Sequence, residues 1–216
     1  TSRRPGLNLL AQPGWATYGP AMTGELLLIT GPPAVGKMTV GRAICARSDF
    51  RLFHNHHTVE PLLEVFGHGT PPFERLTLEF RRRVLEEAVE HGLRLVFTLV
   101  WGVDDPVEAA LVGQMVAPYR EAGLPVRWVE LYADLETRLV RNGGADRIAA
   151  KPSKADLVWS DAHVREVDQR LRMNTDPLEP TVADELLADV EHLRLDNAAL
   201  TADEAAQRVL AWLEPH

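Results

Sequence analysis

GPPAVGKMT, residues 31–39, is the stretch that decides the fold predicted for this chain. It matches the phosphate-binding pattern Gly-x-x-x-x-Gly-Lys-Ser/Thr except at Met38, where the pattern has a hydroxyl that coordinates Mg²⁺. An apolar strand precedes the stretch and a helical pattern follows it, so backbone N–H groups and a helix N-terminus converge on one place. We therefore expect Lys37 to reach the β- and γ-phosphates of a nucleotide. The residues predicted to bind that nucleotide are Gly31, Pro32, Pro33, Ala34, Val35, Gly36, Lys37, Met38 and Thr39.

From residue 24 onward, short β-type segments alternate with longer helical patterns, which predicts an α/β fold with a parallel sheet. The predicted strands are 25–30, 51–55, 93–101, 125–132 and 192–196. The predicted helices are 36–47, 59–66, 73–91, 104–123, 134–142, 160–173 and one that starts at a capping box at 201–204. Residues 1–23 have scattered Pro and Gly without a period, so we expect a flexible extension followed by one domain at 24–216.

Composition and charge narrow the class of protein. The chain has 216 residues, 45% of them hydrophobic, which suits one globular domain with a sizeable core. A formal net charge of −8 argues against a protein that coats nucleic acid, because such binding needs a broad basic surface. No apolar run approaches the roughly 20 residues that span a bilayer, and the single Cys45 allows no internal disulfide. We expect a cytoplasmic monomer or homodimer with no nucleic-acid partner and no membrane partner.

The end of the loop, Gly36-Lys37-Met38-Thr39, is similar to the loop of the adenylate kinases, which reads Gly-Lys-Gly-Thr. More broadly, the stretch resembles the loops of small P-loop kinases: the nucleoside monophosphate kinases, the shikimate and gluconate kinases and the chloramphenicol phosphotransferases. The resemblance implies a P-loop NTPase fold with a five-stranded parallel sheet of order 2-3-1-4-5, flanked by helices and carrying a mobile lid. It also implies ATP as the phosphate donor, and Mg²⁺ held mainly by phosphates and waters rather than by protein ligands. Thr39 would contact the α-phosphate, and Met38 argues against a GTPase-type switch.

A basic segment, RNGGADRIAAKPSK, follows the fourth predicted strand and a short helix. In the kinases that the chain resembles, this is the place of the lid, here about 141–160, whose arginines close over the transferred phosphoryl group. By that resemblance Arg141 and Arg147 would stabilise the developing charge, and Lys151 and Lys154 would contact the nucleotide. The alternative is a solvated basic loop. Arg138 lies at helical spacing from Arg141 and either shares the site or covers a surface.

In open parallel sheets the ligand lies across the carboxyl ends of the strands, so residues after strands two and three are expected to meet the acceptor of the phosphate. A hydroxyl acceptor benefits from a general base, for which His56 or His57 is a candidate and Asp104 the carboxylate alternative. His57 and Trp101 are predicted acceptor contacts. The alternative for the histidines is structural, with one packed in strand two and one capping a helix.

An acceptor that is itself a phosphate needs no base, because it is already ionised, and needs arginines instead. Arg81 and Arg82 on the long helix are the predicted clamp, although only part of one turn of that helix can point inward. The sequence leaves the hydroxyl and phosphate acceptors open. Shikimate-type kinases carry Asp-x-Asp after strand two where this chain has His54-Asn55-His56, which argues against shikimate as the substrate.

By the same resemblance, the adenine base would lie against the turn after the fifth strand, where Asn197 is the predicted contact. The predicted function is therefore ATP-dependent phosphoryl transfer to a small-molecule acceptor. Two alternatives remain: an antibiotic-modifying phosphotransferase of the same fold, and a non-catalytic ATP-binding module that acts through a partner. The second alternative would call for an exposed apolar patch, for which Trp101, Trp128 and Trp159 are the candidates.

Overall fold

The computed structural model describes residues 24–144 and 156–214. Its five strands form one fully parallel sheet in the order β2-β3-β1-β4-β5, which confirms the predicted fold class and strand order. The strands are β1 (Glu25–Thr30), β2 (Arg51–His54), β3 (Arg94–Thr98), β4 (Val126–Tyr132) and β5 (Glu191–Asp196). The helices are α1 (Lys37–Cys45), α2 (His56–Phe66), α3 (Pro71–Glu90), α4 (Pro106–Glu121), α5 (Leu135–Asn142), α6 (Leu157–Arg170), α7 (Ala183–Leu187) and α8 (Ala202–Leu213).

Strand β1 lies at the centre of the sheet, and all six of its residues are buried. Its side chains alternate between two apolar layers, as the period of a strand requires. Leu26 and Leu28 face the layer that contains Trp128 and residues of α3 and α4. Leu27 and Ile29 face the layer formed with α1 and α8. Burial on both faces explains why this strand reads as a continuous apolar run.

The structure corrects several sequence-based boundaries, two of them beside the expected acceptor site, and adds one short helix. Strand β3 ends at Thr98 rather than at Trp101, because its neighbours β1 and β2 end beside it. Helix α2 begins at His56 instead of Val59, since Asn55 O already accepts the hydroxyl of Thr58. The five-residue helix α7 was not predicted, since so short an element has no periodic signal to detect.

The predicted start of the last helix is confirmed. Thr201 and Glu204 form the reciprocal capping box at the start of α8, with the Thr201 hydroxyl accepting the Glu204 N–H. None of the helices in the described ranges is long and apolar enough to cross a membrane. The predicted extension at 1–23 lies outside the described residues. So does most of the predicted lid, including Arg147, Lys151 and Lys154.

Candidate active site

The loop between β1 and α1 has the backbone geometry that its glycines permit. Gly31 has φ of 127° and Gly36 has φ of 109°, both in a region that favours glycine, and Ala34 between them also has a positive φ of 64°. A Cβ atom on Gly31 would lie 2.3 Å from Leu131 O, so the loop runs directly against β4. Because the loop leaves the carboxyl end of the central strand and enters α1 through Gly36, it presents its amides beside a helix N-terminus.

Lys37 lies at the first position of α1 and folds back over the loop. Its Nζ donates to Gly31 O at 2.6 Å and to Pro32 O at 2.8 Å. The ammonium group is therefore held above the loop at the point where phosphate oxygens would meet the amides. The Met38 side chain is buried, 8% exposed, whereas Thr39 is exposed on the same turn. The loop thus offers the hydroxyl of Thr39, and the methionine packs into the protein interior.

Two side chains hold the apex of the loop from the side of β5. Asn197 Nδ2 donates to Val35 O at 2.9 Å, and Arg141 Nη1 donates to the same oxygen at 3.0 Å. Arg141 Nη2 also donates to Asn197 O at 2.7 Å and to Ala198 O at 3.0 Å. Arg141 was predicted to meet the transferred phosphoryl group, but here its guanidinium binds three backbone carbonyls. It joins the loop, α5 and the turn after β5 into one unit.

Helices α5 and α6, which flank the predicted lid, are joined by buried polar contacts. Arg138 is 3% exposed and pairs with Asp168, so it does not cover a surface. Asn142, 1% exposed, donates to Ser160 Oγ at 3.0 Å and to Asp161 Oδ1 at 2.6 Å. Buried polar contacts of this kind specify how two helices pack, although Arg138 Nη1 is buried without a hydrogen-bond partner in the described residues.

At the opposite edge of the sheet from β5, residues after β2 contact α3. Asn55 N donates to Thr98 Oγ1 at 3.2 Å, which ties the end of β2 to the end of β3. Arg81, on α3, donates through Nε to Thr58 Oγ1 at 3.1 Å and through Nη2 to the Asn55 side-chain oxygen. Of the predicted arginine clamp, only Arg81 points inward. Arg82 lies on the outer face of α3, where its side chain is 59% exposed and lies 3.6 Å from Glu86.

The three histidines at the end of β2 and just after it fall into two groups. The rings of His54 and His57 are in contact, with centroids 3.7 Å apart and ring planes tilted by 35°. Burial, with a smaller effect of the Arg42 charge, lowers the pKa of His57 below its ordinary value, so this imidazole is neutral at pH 7. His56 Nδ1 lies 2.8 Å from the carboxylate of Glu60, one turn later in α2. A carboxylate at this distance orients the ring and stabilises its protonated form.

The structure places the remaining predicted acceptor contacts differently. Trp101 is 3% exposed and packs on Trp128 with ring centroids 5.6 Å apart, so its side chain belongs to the core. Asp104 is exposed, lies 4.0 Å from Arg172 and lines an open cleft of about 420 Å³ between the start of α4 and the end of α6. The side chain that caps α4 is that of Asp105, which accepts from Val107 N at 2.8 Å.

Glu130 was not predicted to be special, yet it is the buried carboxylate nearest in register to the start of the loop. It pairs with Thr30 across the β1–β4 ladder and is 3% exposed. Its oxygens accept from Asn174 Nδ2 at 3.0 Å and from Thr175 N at 2.7 Å. Because these donors occupy it, Glu130 anchors the chain after α6 and offers little to a metal ion. An acidic residue inside the apolar run WVELY was the available sequence signal.

No family model and no curated protein matches the chain, but solved structures do. A candidate kinase from Chloroflexus aurantiacus is 16% identical with a TM-score of 0.58, covering 89% of this chain and 97% of that one. A gluconokinase from Sinorhizobium meliloti is 14% identical with a TM-score of 0.54, covering 89% and 92%. An APS kinase from Mycobacterium tuberculosis, in complex with AMPPNP and APS, is 17% identical with a TM-score of 0.51, covering 90% and 99%. The chain therefore has the fold of the P-loop small-molecule kinases.

Proposed function

We propose that the protein is an ATP-dependent phosphotransferase that acts on a small-molecule acceptor. The observation that carries the proposal is the loop at the end of β1, where positive-φ backbone at Gly31 and Gly36 presents amides beneath the Lys37 ammonium. This arrangement has one evident use, which is to surround phosphate oxygens with donors. The P-loop kinase fold supports the same conclusion.

In the proposed reaction an acceptor oxygen attacks the γ-phosphorus of ATP, the bond from that phosphorus to the β-bridging oxygen breaks, and ADP leaves. Lys37 and the loop amides bind the β- and γ-phosphates, and Thr39 binds the α-phosphate. When bound, Mg²⁺ would neutralise charge on the phosphate oxygens. The exposed Thr39 hydroxyl and the buried Met38 fit a metal held mainly through phosphates. From the lid, Arg147 stabilises the transferred group while Lys151 and Lys154 contact the nucleotide.

For a hydroxyl acceptor, the proton is proposed to pass to His56. The Glu60 carboxylate, 2.8 Å from Nδ1, would stabilise the imidazolium that forms. Asp104 is the alternative base, beside the cleft at the start of α4. His57 is assigned to acceptor binding, because its lowered pKa and its ring contact with His54 suit a neutral contact.

The two alternatives differ in how the structure bears on them. An antibiotic-modifying phosphotransferase would use the same loop and differ only in the acceptor. A non-catalytic ATP-binding module would call for an exposed apolar patch, but Trp101 and Trp128 are both buried, and Trp159 is the one of the three candidates that is half exposed. Catalysis is therefore favoured.

The test is Mg²⁺-dependent ATP consumption against nucleosides, nucleoside monophosphates, sugars, sugar acids and antibiotics. Lys37→Ala is expected to lower acceptor-dependent turnover by at least about 100-fold, because it removes a charge aimed at the transferred group. Arg47→Ala, which removes an arginine from the end of α1 paired with Asp203, is the matched control and should keep its activity. Tight ATP binding without transfer to any acceptor class would overturn the proposal.

A further inference from the structure

Arg81 is a cation enclosed by neutral partners. Two of its five N–H donors are bonded, to the Thr58 hydroxyl and to the Asn55 side-chain oxygen. In the ranges that the structure describes, no carboxylate lies within 4.0 Å of its guanidinium. Its Nη1 makes no hydrogen bond in the described ranges and is not among the fully buried atoms that lack one, so this atom is partly accessible to solvent.

The surroundings make this charge costly to maintain. Burial lowers the pKa of Arg81 to about 10, and the charge of Glu74, two turns earlier in α3, opposes the shift only in part. The guanidinium stays protonated at neutral pH. The neighbouring arginines differ from it: Arg83 is exposed and lies 3.4 Å from Glu86, and Arg82 also pairs with Glu86. Of these three arginines, the one that points inward is the one without an acidic partner, which is the arrangement expected where an anion binds.

The position of Arg81 relative to the sheet indicates which part of a ligand it would contact. Asn55 follows β2, and the nucleotide loop follows β1, with β3 between these strands. Two strand spacings amount to about 10 Å, which is the length of one small acceptor molecule lying across the carboxyl ends of the strands. An anionic group at Arg81 is therefore an anchor at the far end of the acceptor, and not the atom that receives the phosphoryl group.

We infer that Arg81, oriented by Asn55 and Thr58, binds a carboxylate, phosphate or sulfate group at the end of the acceptor that is remote from its phosphorylated oxygen. This inference rests on the proposed kinase function and narrows its acceptor to anionic molecules. The acceptor oxygen still displaces ADP from the γ-phosphorus and loses its proton to the base, and the anion at Arg81 is unchanged in the reaction. Neutral sugars and neutral antibiotics are then poor acceptors.

Three variants distinguish a role of Arg81 in ligand binding from a role in stabilising the fold. Arg81→Gln removes the charge. Asn55→Asp keeps the shape of the side chain but gives Arg81 a carboxylate partner, which neutralises the charge without removing the guanidinium. Arg83→Gln removes an exposed arginine from the same helix and is the matched control. Asn55→Asp keeps the test valid if Arg81→Gln does not fold, because a new Arg–Asp pair holds α2 against α3 at least as well as the neutral contact.

The probes are pairs of similar molecules, one anionic and one neutral: D-gluconate and D-glucose, shikimate and its methyl ester, AMP and adenosine, all at one ionic strength. Binding is measured by calorimetry on the full chain with a non-hydrolysable ATP analogue present, and turnover is measured with ATP. We expect an anionic probe to bind more tightly than its neutral partner in the unaltered protein. Arg81→Gln and Asn55→Asp should each lower the affinity for the anionic probe by about 10- to 100-fold and leave the affinity for its neutral partner unchanged. Arg83→Gln should change neither.

The identity of the preferred probe distinguishes carboxylate from phosphate. Equal binding of charged and neutral partners, or equal losses in Arg81→Gln and Arg83→Gln, would overturn the inference. Tighter binding of the anionic probe in Asn55→Asp would also overturn it, since that result assigns the anion to another residue. Failure of the kinase proposal gives a different pattern: Arg81-dependent binding of an anionic probe persists, but no probe accepts phosphate in the unaltered protein or in Lys37→Ala.

Discussion

Replacing Gly31 by alanine tests whether the loop is held where the structure places it. The added Cβ would lie 2.3 Å from Leu131 O, whereas real Cβ atoms essentially never come closer than 3.0 Å. Either the loop or β4 must therefore move by about 0.7 Å. Leu131 O is backbone within the β4–β5 ladder, where Leu131 is paired with Leu195, so the loop is the part expected to move. The φ of 127° adds strain, because residues with a side chain rarely adopt it.

The magnitude follows from a comparison with Gly123, which also has a positive φ, of 68°, but has no atom within 4 Å of an added Cβ. Gly123→Ala isolates the cost of the backbone conformation, about 1–2 kcal/mol. Gly31→Ala adds the collision to a similar or larger strain, for a total of about 3 kcal/mol or more. In a chain of this size each kcal/mol lowers Tm by about 2–4 °C. We therefore expect a fall of about 6–12 °C for Gly31→Ala and about 2–8 °C for Gly123→Ala.

Thermal unfolding monitored by circular dichroism measures both values, and ATP turnover measures the displacement of the loop. A shift approaching 1 Å at a positioning element lowers the rate by about 100-fold, so Gly31→Ala should be nearly inactive and Gly123→Ala fully active. If the two variants lost the same stability and both kept their activity, the close approach of the loop to Leu131 O would be refuted as a constraint on the site.

Two further predictions concern residues around the loop. Asn197→Ala removes one of the two donors to Val35 O, so we expect a 5- to 10-fold weaker affinity for ATP, about 1 kcal/mol; an unchanged Kd in titration calorimetry would contradict this. The second prediction is that Glu130 makes the stability of the fold depend on pH. Burial raises the pKa of its carboxyl, but His192 and the hydrogen bonds from Asn174 and Thr175 outweigh this effect and hold the pKa below its ordinary value. The ionised Glu130 carboxylate therefore contributes to the free energy of unfolding above about pH 4.3, and this contribution is lost as the pH falls through the lower pKa of the folded state. Glu130→Gln should flatten that acid limb of the urea-unfolding profile, and an identical limb in both proteins would exclude Glu130 as its source.

Much of the fold could be predicted because its signals are local. The run ELLLIT predicts a strand buried on both faces, and β1 has those bounds. The capping box at Thr201 depends on residues three apart, so it too was predictable. Strand order is a different matter, since nothing in the spacing of the strands specifies it; it came from the resemblance of the loop to the small kinases and is confirmed by the sheet.

The site was harder to predict because it depends on which side of an element each residue occupies. The sequence gives no reason to choose among the three consecutive arginines Arg81, Arg82 and Arg83. Neighbouring residues on a helix point about 100° apart, so only Arg81 contacts Asn55. Trp101 follows β3 as an acceptor contact would, yet the chain turns inward there and packs it on Trp128.

The sequence by itself determined the loop chemistry at 31–39 and the alternation of strands and helices, because glycine conformations and hydrophobic periods act over a few residues. Only the tertiary structure decided that Arg141 and Asn197 hold the loop apex at Val35 O, and that Arg81 bonds neutral partners and has no acidic partner among the described residues. The physical reason is distance along the chain. Val35 and Asn197 are 162 residues apart, and the contact between them exists only when β1 and β5 flank the same neighbour, β4.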